Sequence, residues 1–411
     1  MKKLSSLLLA LFAAIAFAAD FNPNDFKGSD SQRINAAIRA AAASGGKAVI
    51  TARKADAAAK RTFWLLEEAL LLPGNSTVIL ENCTLKLADS CRDNFFRSAN
   101  CIVGSEPDII SNITIKGVGK VELIGADIPR ATGDSGKLLG TRTFGTDSGR
   151  KGENPKGDWR NIGILLVKVD NFAIENITIR DSHCWAISLE QCRFGKIRDI
   201  HFESKGWKMI NGKKETILNQ DGLDLRRGCN NILIENITGF TGDDLIALTA
   251  IAAAPRIPAY TGTQFIGGCN VQEHNDIAFV TIRNVRGYCA GGHHIVRLLN
   301  GKGSKIHHIF IDNVMDNSPA DYHCRATIKI GDVNPAWSAG HKLGDTAMIQ
   351  ISNIWCNTRY GILLQGTLAD STICNVINRN AKGNAIHLHT DASHRRNVRM
   401  QNIFFNPDNV L

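Results

Sequence analysis

The sequence has few of the features that join separate domains or bind nucleic acids. It contains only 10 prolines among 411 residues, and no long polar tract of the kind that links domains. Charged residues make up 21 % and apolar residues 44 % of the chain, a globular composition that excludes intrinsic disorder. The formal charge of +9 comes from lysines and arginines spread along the chain, whereas a nucleic-acid-binding protein clusters them. We therefore expect no nucleic-acid partner.

Metal-binding and disulfide patterns are missing as well. The 11 cysteines are an odd number, so they cannot all pair within one chain. No two of them have the Cys-x-x-Cys spacing that is typical of a zinc site. Most lie in apolar runs, where we expect buried thiols that pack as small hydrophobic side chains. The sequence predicts no metal site and no cofactor.

Only one long apolar run is present, and it stands at the start of the chain. Lys2 and Lys3 precede an almost wholly apolar run over residues 4–17, which ends in small residues. This is the pattern of a secretory signal peptide, and it is short for a membrane span. We predict a signal peptide over residues 1–18 and a secreted or periplasmic location. No later run approaches about 18 apolar residues, so we expect no membrane insertion.

A repeat accounts for most of the remaining length. Its unit is one or two polar residues, an alternating run of isoleucine, valine or phenylalanine, and then an asparagine or aspartate, as in 171–179 and 231–238. The shortest interval between these polar bends, 353 to 375, is 22 residues, about one coil of a parallel β-helix. Residues 19–411 are therefore predicted to form one all-β domain, a parallel β-helix, in a monomer. The bend residues fall at positions 176, 199, 236, 284, 313, 353, 375 and 402.

The alternative all-β architecture is a β-sandwich, and turn spacing separates the two. A sandwich has strands about every 8–12 residues with hairpin turns, and two-residue Asn-Gly hairpins are nearly absent from this sequence. In a β-helix the inward side chains of each strand stack on the coils above and below. The asparagine at each bend can then hydrogen-bond its equivalent in the next coil, as in a stacked amide ladder.

The N-terminal region has a helical pattern instead. Ser29 and Gln32 are spaced as a capping box, and Gly45 follows as a stop signal. Because a solenoid exposes a hydrophobic end, we predict that an amphipathic helix here covers it. Its apolar stripe is expected at Ile34, Ala37, Ile38 and Ala42. The first strands of the β-helix are predicted at Lys47–Thr51, Thr77–Leu80 and Thr84–Leu87.

Three carboxylates are the first candidates for chemistry. Asp221 lies in the run Asn-Gln-Asp-Gly, and the pair Asp243 and Asp244 begins 22 residues later, about one coil. Stacked coils would place all three on one face. Crowded carboxylates raise the pKa of at least one member, which can then stay protonated as a general acid beside an ionised partner. Such a pair is what glycosidic bond cleavage needs.

Imidazole and basic side chains follow on later coils. His293 and His294 stand after two glycines, and Arg297 comes shortly after them. Arg325 and Lys329 bracket the run Arg-Ala-Thr-Ile-Lys. Coil stacking therefore adds a titratable imidazole and cations to the face that carries the carboxylates.

At these residues the chain resembles glycoside hydrolase family 28, the polygalacturonases and rhamnogalacturonan hydrolases. The run 219–248 is similar to the family motifs Asn-Thr-Asp-Gly and Gly-Asp-Asp, one coil apart, and the later runs to Gly-His-Gly and Arg-Ile-Lys. Asp221, Asp243, Asp244 and His293 fall on matching positions. Further similar runs are 181–189 for the family, and 30–38 and 72–80 for the wider pectate-lyase-like superfamily.

The resemblance implies a right-handed β-helix and an inverting hydrolase of a pectin-like or other acidic polysaccharide. By the same resemblance Asp243 is the general acid, while Asp221 and Asp244 hold and activate the water. His293 tunes the protonation of the acid, and Lys329 binds a carboxylate or hydroxyl of the substrate. The other residues expected to bind substrate are Asn219, His294, Arg297 and Arg325.

The chain departs from the family motifs at three positions. Gln220 replaces the motif threonine, and His294 replaces the second glycine of Gly-His-Gly, which would add bulk on the substrate side. Thr327 stands where the family has arginine, so Arg325 or Arg297 has to supply that charge. In polygalacturonases those cations bind the uronate, so the resemblance does not single out plain polygalacturonate as the substrate.

The sequence leaves the class of function and the mode of cleavage open. A polysaccharide lyase on the same scaffold would use a lysine or arginine as base, often with calcium, which the aspartates could hold. A non-catalytic glycan-binding β-helix, such as an adhesin, would lack the three-carboxylate coil. An insertion over 250–275 predicts a loop along one wall of the cleft, which favours exo-cleavage.

Overall fold

A computed structural model of the protein describes residues 19–57, 59–91, 93–102, 106–129, 159–251, 272–301, 303–319, 324–338 and 341–404. The signal peptide predicted over 1–18 lies outside these residues. So does most of the cleft-wall loop predicted over 250–275.

Two long sheets of parallel strands dominate the described chain, and they are called sheet A and sheet B. Sheet A has, in hydrogen-bonding order, β1 (Asp20–Phe21), β2 (Lys47–Ile50), β5 (Thr77–Glu81), β8 (Ile110–Val118), β11 (Val169–Arg180), β13 (Arg193–Glu203), β17 (Asn230–Thr241), β19 (Ile277–Cys289), β21 (Ile306–Asp316), β23 (Thr346–Cys356), β25 (Leu368–Asn378) and β27 (Arg395–Phe404). Three short strands extend its first coils, namely β3 (Trp64–Leu66), β6 (Thr84–Leu87) and β9 (Glu122–Ile124).

Sheet B runs alongside sheet A through the same coils. Its strands are, in order, β4 (Leu70–Leu72), β7 (Phe96–Ser98), β10 (Ile164–Val167), β12 (Ile187–Glu190), β16 (Leu223–Arg226), β18 (Ile246–Ile251), β20 (His294–Gly301), β22 (Ala326–Ile330), β24 (Tyr360–Leu364) and β26 (Asn384–Leu388). Because the chain alternates between the two sheets and each strand pairs in parallel with the next coil, the fold is a parallel β-helix. The predicted fold class is confirmed. A separate antiparallel hairpin is formed by β14 (Trp207–Ile210) and β15 (Lys213–Thr216).

One column of the core consists of identical side chains in stacked coils. In sheet A, register pairing places isoleucines above one another from β8 to β25. Each has at most 2 % of its surface exposed, so every coil buries the apolar face of its neighbours. The members of this stack are Ile115, Ile174, Ile197, Ile234, Ile282, Ile311, Ile351 and Ile373.

The predicted amide ladder follows the bends of sheet A. All eight predicted bend residues have a left-handed backbone, with φ between 51° and 58°, which asparagine and aspartate tolerate better than most residues. Asparagine Nδ2 donates to the side-chain oxygen of the preceding bend residue for the pairs 236 to 199 (2.8 Å), 284 to 236 (3.2 Å), 313 to 284 (2.9 Å), 375 to 353 (2.9 Å) and 402 to 375 (2.9 Å). The other two steps differ, because Asp199 has no amide group to donate to Asn176 and because Asn353 donates to Asp312 at 2.8 Å instead of Asn313.

The predicted helix caps the first coils. Helix α1 (Asp30–Ser44) begins with the capping box of Ser29 and Gln32 and ends at Gly45, whose φ is 70°. It packs against β2, β3 and β4. Its buried apolar stripe includes Ala41 where the sequence predicted Ala42, which is half-buried.

The remaining helices of the described chain are short, and none of those described is long and apolar enough to cross a membrane. They are α2 (Pro335–Ser338) and the 3-10 helices Pro23–Asp25, Trp159–Asn161, Gln272–Asn275 and Ala392–His394.

The cysteines pack in the core as predicted. Nine of the ten in the described part are buried. Cys192, Cys229 and Cys356 are free thiols in the main hydrophobic cluster, and burial raises the pKa of Cys229 to about 12. These side chains therefore stay protonated and act as small hydrophobic groups.

Candidate active site

The candidate carboxylates lie in two stacked turns, each at the start of a strand of sheet B. Asp221 precedes β16, and Asp243 and Asp244 precede β18. Leu223 pairs with Ile246 in the parallel register, and the Gly222 N–H donates to the Asp244 carbonyl at 3.0 Å. The structure thus brings together the three carboxylates that the sequence placed about one coil apart.

Gln220 fixes these two turns against each other. Its carbonyl accepts the N–H groups of Gly242 at 3.0 Å and Asp243 at 3.1 Å. Its side chain donates to the Ser182 carbonyl at 2.6 Å and accepts the Gly206 N–H at 2.8 Å. The residue that replaces the motif threonine therefore holds the turns in place. The preceding Asn219 is half-buried with a left-handed backbone, φ 54°.

Asp243 and Asp244 have opposite electrostatic surroundings. The Asp243 side chain is 21 % exposed, and its oxygen lies 3.3 Å from His293 Nδ1. Burial and the neighbouring Asp244 charge raise the pKa of Asp243 to about 6. Burial alone would also raise the pKa of Asp244, but the contacts with His294 and Arg297 outweigh it and hold that pKa well below the usual range. Asp244 is therefore the ionised member of the pair.

The contacts of Asp244 are made by two residues of β20. His294 donates to Asp244 Oδ1 from its backbone N–H at 3.0 Å and lies 2.7 Å away through Nδ1. Arg297 Nη1 lies 3.4 Å from Asp244 Oδ2. Burial lowers the pKa of His294 although the Asp244 charge opposes this, and because Asp244 is ionised the His294 Nδ1 carries the proton of their hydrogen bond.

The two histidines contact different members of the aspartate pair and differ in burial. The His293 side chain is 50 % exposed beside Asp243, whereas His294 is 3 % exposed beneath Asp244. The sequence predicted bulk from His294 on the substrate side, and the structure places that ring in the interior. Its role in substrate binding stays a prediction.

A fourth carboxylate, Asp224, was not predicted from the sequence. It is 2 % exposed in β16, and its Oδ2 has no hydrogen-bond partner among the described residues. Burial raises the pKa of Asp224, and burial followed by the charge of Asp243 raises that of Asp221. The sequence does contain a signal for this residue. Alternate side chains of a strand face opposite sides, so a charged residue between the core positions Leu223 and Leu225 faces away from the core.

Two of the predicted cations share a carboxylate, Asp332, that was likewise not predicted from the sequence. Asp332 Oδ2 accepts from Lys329 Nζ at 2.7 Å and from Arg297 Nη2 at 2.9 Å. Arg325 lies exposed at the start of β22, and its backbone N–H donates to the His293 carbonyl at 2.8 Å. The structure thus gathers Arg297 and Lys329 beside the carboxylates and leaves Arg325 at the surface.

Three aromatic side chains are candidates for stacking on sugars. Trp185 is 8 % exposed, with the Arg226 guanidinium 4.7 Å from its ring centroid. Lys214 lies 4.4 Å from the Trp207 ring, and Tyr360 stacks on a histidine ring at 4.5 Å. Each ring is thus covered on at least one face by protein.

One group of described residues has the geometry to hold a cation. Asp243, Asp244 and His293 each offer a ligand atom, and these atoms lie within 4.8 Å of one another. Acid/base cleavage of a glycosidic bond needs no metal, and the expectation that the protein uses none stays a prediction.

One known protein family matches part of the chain. The family model described as glycosyl hydrolases family 28 matches residues 111–268. No curated protein sequence matches the chain.

Several solved structures are similar to the chain. A family 28 exopolygalacturonase of Yersinia enterocolitica has 14 % identity and a TM-score of 0.47, with 95 % of this chain and 80 % of that chain covered. A polygalacturonase of Erwinia carotovora has 13 % identity and a TM-score of 0.46, with 92 % of each chain covered. PfbA, a surface adhesin of Streptococcus pneumoniae, has 12 % identity and a TM-score of 0.42, with 94 % and 93 % covered.

Proposed function

We propose that the protein is a glycoside hydrolase of a pectin-like or other acidic polysaccharide, from the premise that residues 111–268 belong to glycosyl hydrolases family 28. The matched region contains Asp221, Asp243 and Asp244. The family supports a polysaccharide substrate, and the formal charge of +7 that remains without Lys2 and Lys3 of the predicted signal peptide supports an acidic one.

One observation carries the proposal, namely the different surroundings of two adjacent carboxyl groups: Asp244 contacts His294 and Arg297, and Asp243 contacts the half-exposed His293. Asp243 has a pKa raised to about 6, and the pKa of Asp244 is held below its usual range. At mildly acidic pH the pair therefore contains one proton donor and one proton acceptor. Glycoside hydrolysis needs both at the same bond.

In the proposed mechanism Asp243 protonates the glycosidic oxygen as the bond to the anomeric carbon breaks. A water attacks that carbon, and its proton passes to the ionised carboxylate of Asp244, with Asp221 beside it. The products are a free hydroxyl group and a reducing end. The catalyst is restored when Asp244 loses the proton and Asp243 regains one, for which His293 lies 3.3 Å away.

The proposal also includes the stereochemistry of cleavage, which is predicted to invert the configuration at the anomeric carbon. The ligand atoms of Asp243, Asp244 and His293 lie within 4.8 Å of one another. Carboxyl groups of inverting glycosidases are usually about 6.5–9.5 Å apart, so this spacing does not itself support inversion. Inversion stays a prediction, and NMR of the first-formed anomer tests it; retention of configuration would contradict it.

The proposal is tested by removing the proton of the assigned acid. Asp243→Asn is expected to lower the release of reducing sugar from pectic polysaccharides by at least about 100-fold, because general acid catalysis typically contributes about 10²–10⁴-fold. The matched control is Asp370→Asn, which removes a carboxylate paired with Arg396 at 2.7 Å in sheet A. The control should keep full activity.

Three outcomes would contradict the proposal. Equal sugar release by Asp243→Asn and the wild type would show that Asp243 is not the acid. Products that absorb in the ultraviolet would identify a lyase, since elimination leaves a double bond conjugated to the carboxylate. Binding of glycan by the wild type, with no cleavage of any polymer, would identify a non-catalytic β-helix.

A further inference from the structure

We infer that Asp332 sets the charge preference of the site, so that the sugar unit bound beside Arg297 and Lys329 is an uncharged one. The inference rests on the proposed hydrolase function. It deepens that function by naming the class of sugar on one side of the cleaved bond.

Arg297 and Lys329 occupy the place where the site could attract a substrate carboxylate. They are paired residues of neighbouring strands, β20 and β22. Arg297 Nη1 lies 3.4 Å from Oδ2 of Asp244, the ionised partner of the assigned acid. A sugar unit next to the reacting carboxylates therefore lies close to both cations.

Both cations already have a carboxylate partner in the protein. A single oxygen, Asp332 Oδ2, lies 2.7 Å from Lys329 Nζ and 2.9 Å from Arg297 Nη2. The Lys329 side chain is 4 % exposed and that of Asp332 is 11 % exposed. Ion pairs so shielded from water are strong and costly to separate.

Asp332 is held in this position by its own turn. Its Oδ1 accepts the backbone N–H of Asn334 at 2.9 Å, and the turn begins at Gly331, whose φ of 74° favours glycine. Burial alone would raise the pKa of Asp332, but the hydrogen bonds from Lys329 and Asn334 outweigh it and lower that pKa. The carboxylate thus stays ionised across the working pH range.

The charges of this cluster balance without a substrate. Asp244 and Asp332 provide two negative charges, and Arg297 and Lys329 provide two positive ones. A uronate carboxylate would add a third negative charge and would compete with Asp332 for these cations. The hydroxyl groups of a neutral sugar hydrogen-bond without breaking these pairs, so the cluster selects against charge at this position.

The test compares three polymers under initial-rate conditions. They are a homopolymer of galacturonic acid, the same polymer after chemical reduction of its carboxyl groups, and a pectic polymer in which galacturonic acid alternates with a neutral sugar. The wild type is expected to show a kcat/KM at least tenfold higher on one of the two polymers that contain neutral units than on the acidic homopolymer.

Two variants assign that preference to Asp332. Asp332→Asn removes the charge, and Asp332→Ser removes it while a hydroxyl remains to accept the Asn334 N–H. Each should raise kcat/KM on the acidic homopolymer at least tenfold, with the gain reduced at high salt because it is electrostatic. Asp370→Asn, the charge-matched control in sheet A, should leave the ratio between polymers unchanged. Circular dichroism melting identifies which of the variants is folded.

The inference is overturned if the wild type cleaves the acidic homopolymer at least as fast as both other polymers. It is also overturned if the folded Asp332 variants keep the wild-type ratio. If the wild type cleaves none of the polymers, the proposed hydrolase function itself fails, and the inference fails with it. These results are distinguishable because only the last one lacks any reducing-sugar release.

Discussion

Asp243 and Asp244 carry the same side chain and differ in protonation because their neighbours differ. Asp244 is surrounded by donors, with both the backbone and the ring of His294 and the guanidinium of Arg297 around it. Asp243 has His293 at 3.3 Å and accepts the Asp244 backbone N–H at 3.0 Å, but it lies next to the charge of the Asp244 carboxylate. At the scale of single residues, the hydrogen-bond donors around each carboxyl group therefore set its pKa, and the pKa sets its proposed role as acid or base.

A pH dependence follows from the protonation of Asp243. The group is active when protonated, and its pKa is raised to about 6, so kcat/KM is expected to fall as the pH rises through about 6. An unshifted aspartate would lose its proton near pH 4. Because the charge of His293 lowers the pKa of Asp243, His293→Ala should move this fall in activity to higher pH. Initial rates from pH 4 to 9 measure both effects.

The matched control for this experiment is His308→Ala, an exposed histidine in β21 of sheet A. It should leave the pH profile in place. A profile that is unchanged, or that moves to lower pH, in His293→Ala would show that the imidazole does not act on the acid.

At the scale of elements, the bends are held by a hydrogen-bonded ladder of side chains. Asn284 sits in its middle, where it donates to Asn236 at 3.2 Å and accepts from Asn313 at 2.9 Å. Its backbone is left-handed, φ 57°. This single residue therefore combines a conformational preference with two hydrogen bonds between coils.

Substitutions at Asn284 separate these contributions. Asn284→Ala loses both hydrogen bonds and places an unfavourable residue in a left-handed bend, so we expect a loss of about 2 kcal/mol in the free energy of unfolding. Asn284→Gly tolerates the bend and should lose about 1 kcal/mol. Asn284→Asp keeps the acceptor for Asn313 and should lose the least. Denaturant unfolding measures the order, and equal values for alanine and glycine would show that the backbone conformation contributes nothing.

At the scale of the whole molecule, each coil is stabilised mainly by the coils next to it. Each coil contacts mainly its neighbours, as in other solenoids, where stability is a sum of local and nearest-neighbour contributions. Helix α1 closes the N-terminal end by packing Ile34 and Ile38, both at most 1 % exposed, against the first strands. A destabilising substitution in α1 is therefore expected to lower the stability of the first coils more than that of the later coils.

Ile38→Ala tests this view of the cap. The change leaves a cavity under α1 and should cost about 2–5 kcal/mol locally. Hydrogen exchange should then show lost protection in β2 and β5 while β21 stays protected. The matched variant Ile282→Ala makes the same kind of cavity in the middle of the isoleucine stack. Its loss of hydrogen-exchange protection should centre on β17 to β21. Equal loss along the whole chain in both variants would show one cooperative unit instead.

Most of the fold was predictable because the signals are local and repeated. The eight bend residues, the capping box before α1 and the alternating apolar strands each reflect a preference within a few residues of sequence. Boundaries differed by a residue or two, as at β2 and β5, and Ala41 replaced Ala42 in the buried stripe of α1. The three carboxylates were also predictable, because about one coil of spacing places them in adjacent turns.

The environment of the site was decided only by the tertiary structure. Nothing in the sequence near Asp332 shows that its carboxylate joins Arg297, 35 positions away, to Lys329. The interior position of His294 and the burial of Asp224 likewise depend on what the neighbouring coils bring against them. The sequence by itself determined the repeat and the identity of the carboxylates, since periodicity and spacing are properties of one chain segment. The tertiary structure decided their charges, because a pKa depends on every group within a few ångströms, whatever its distance along the chain.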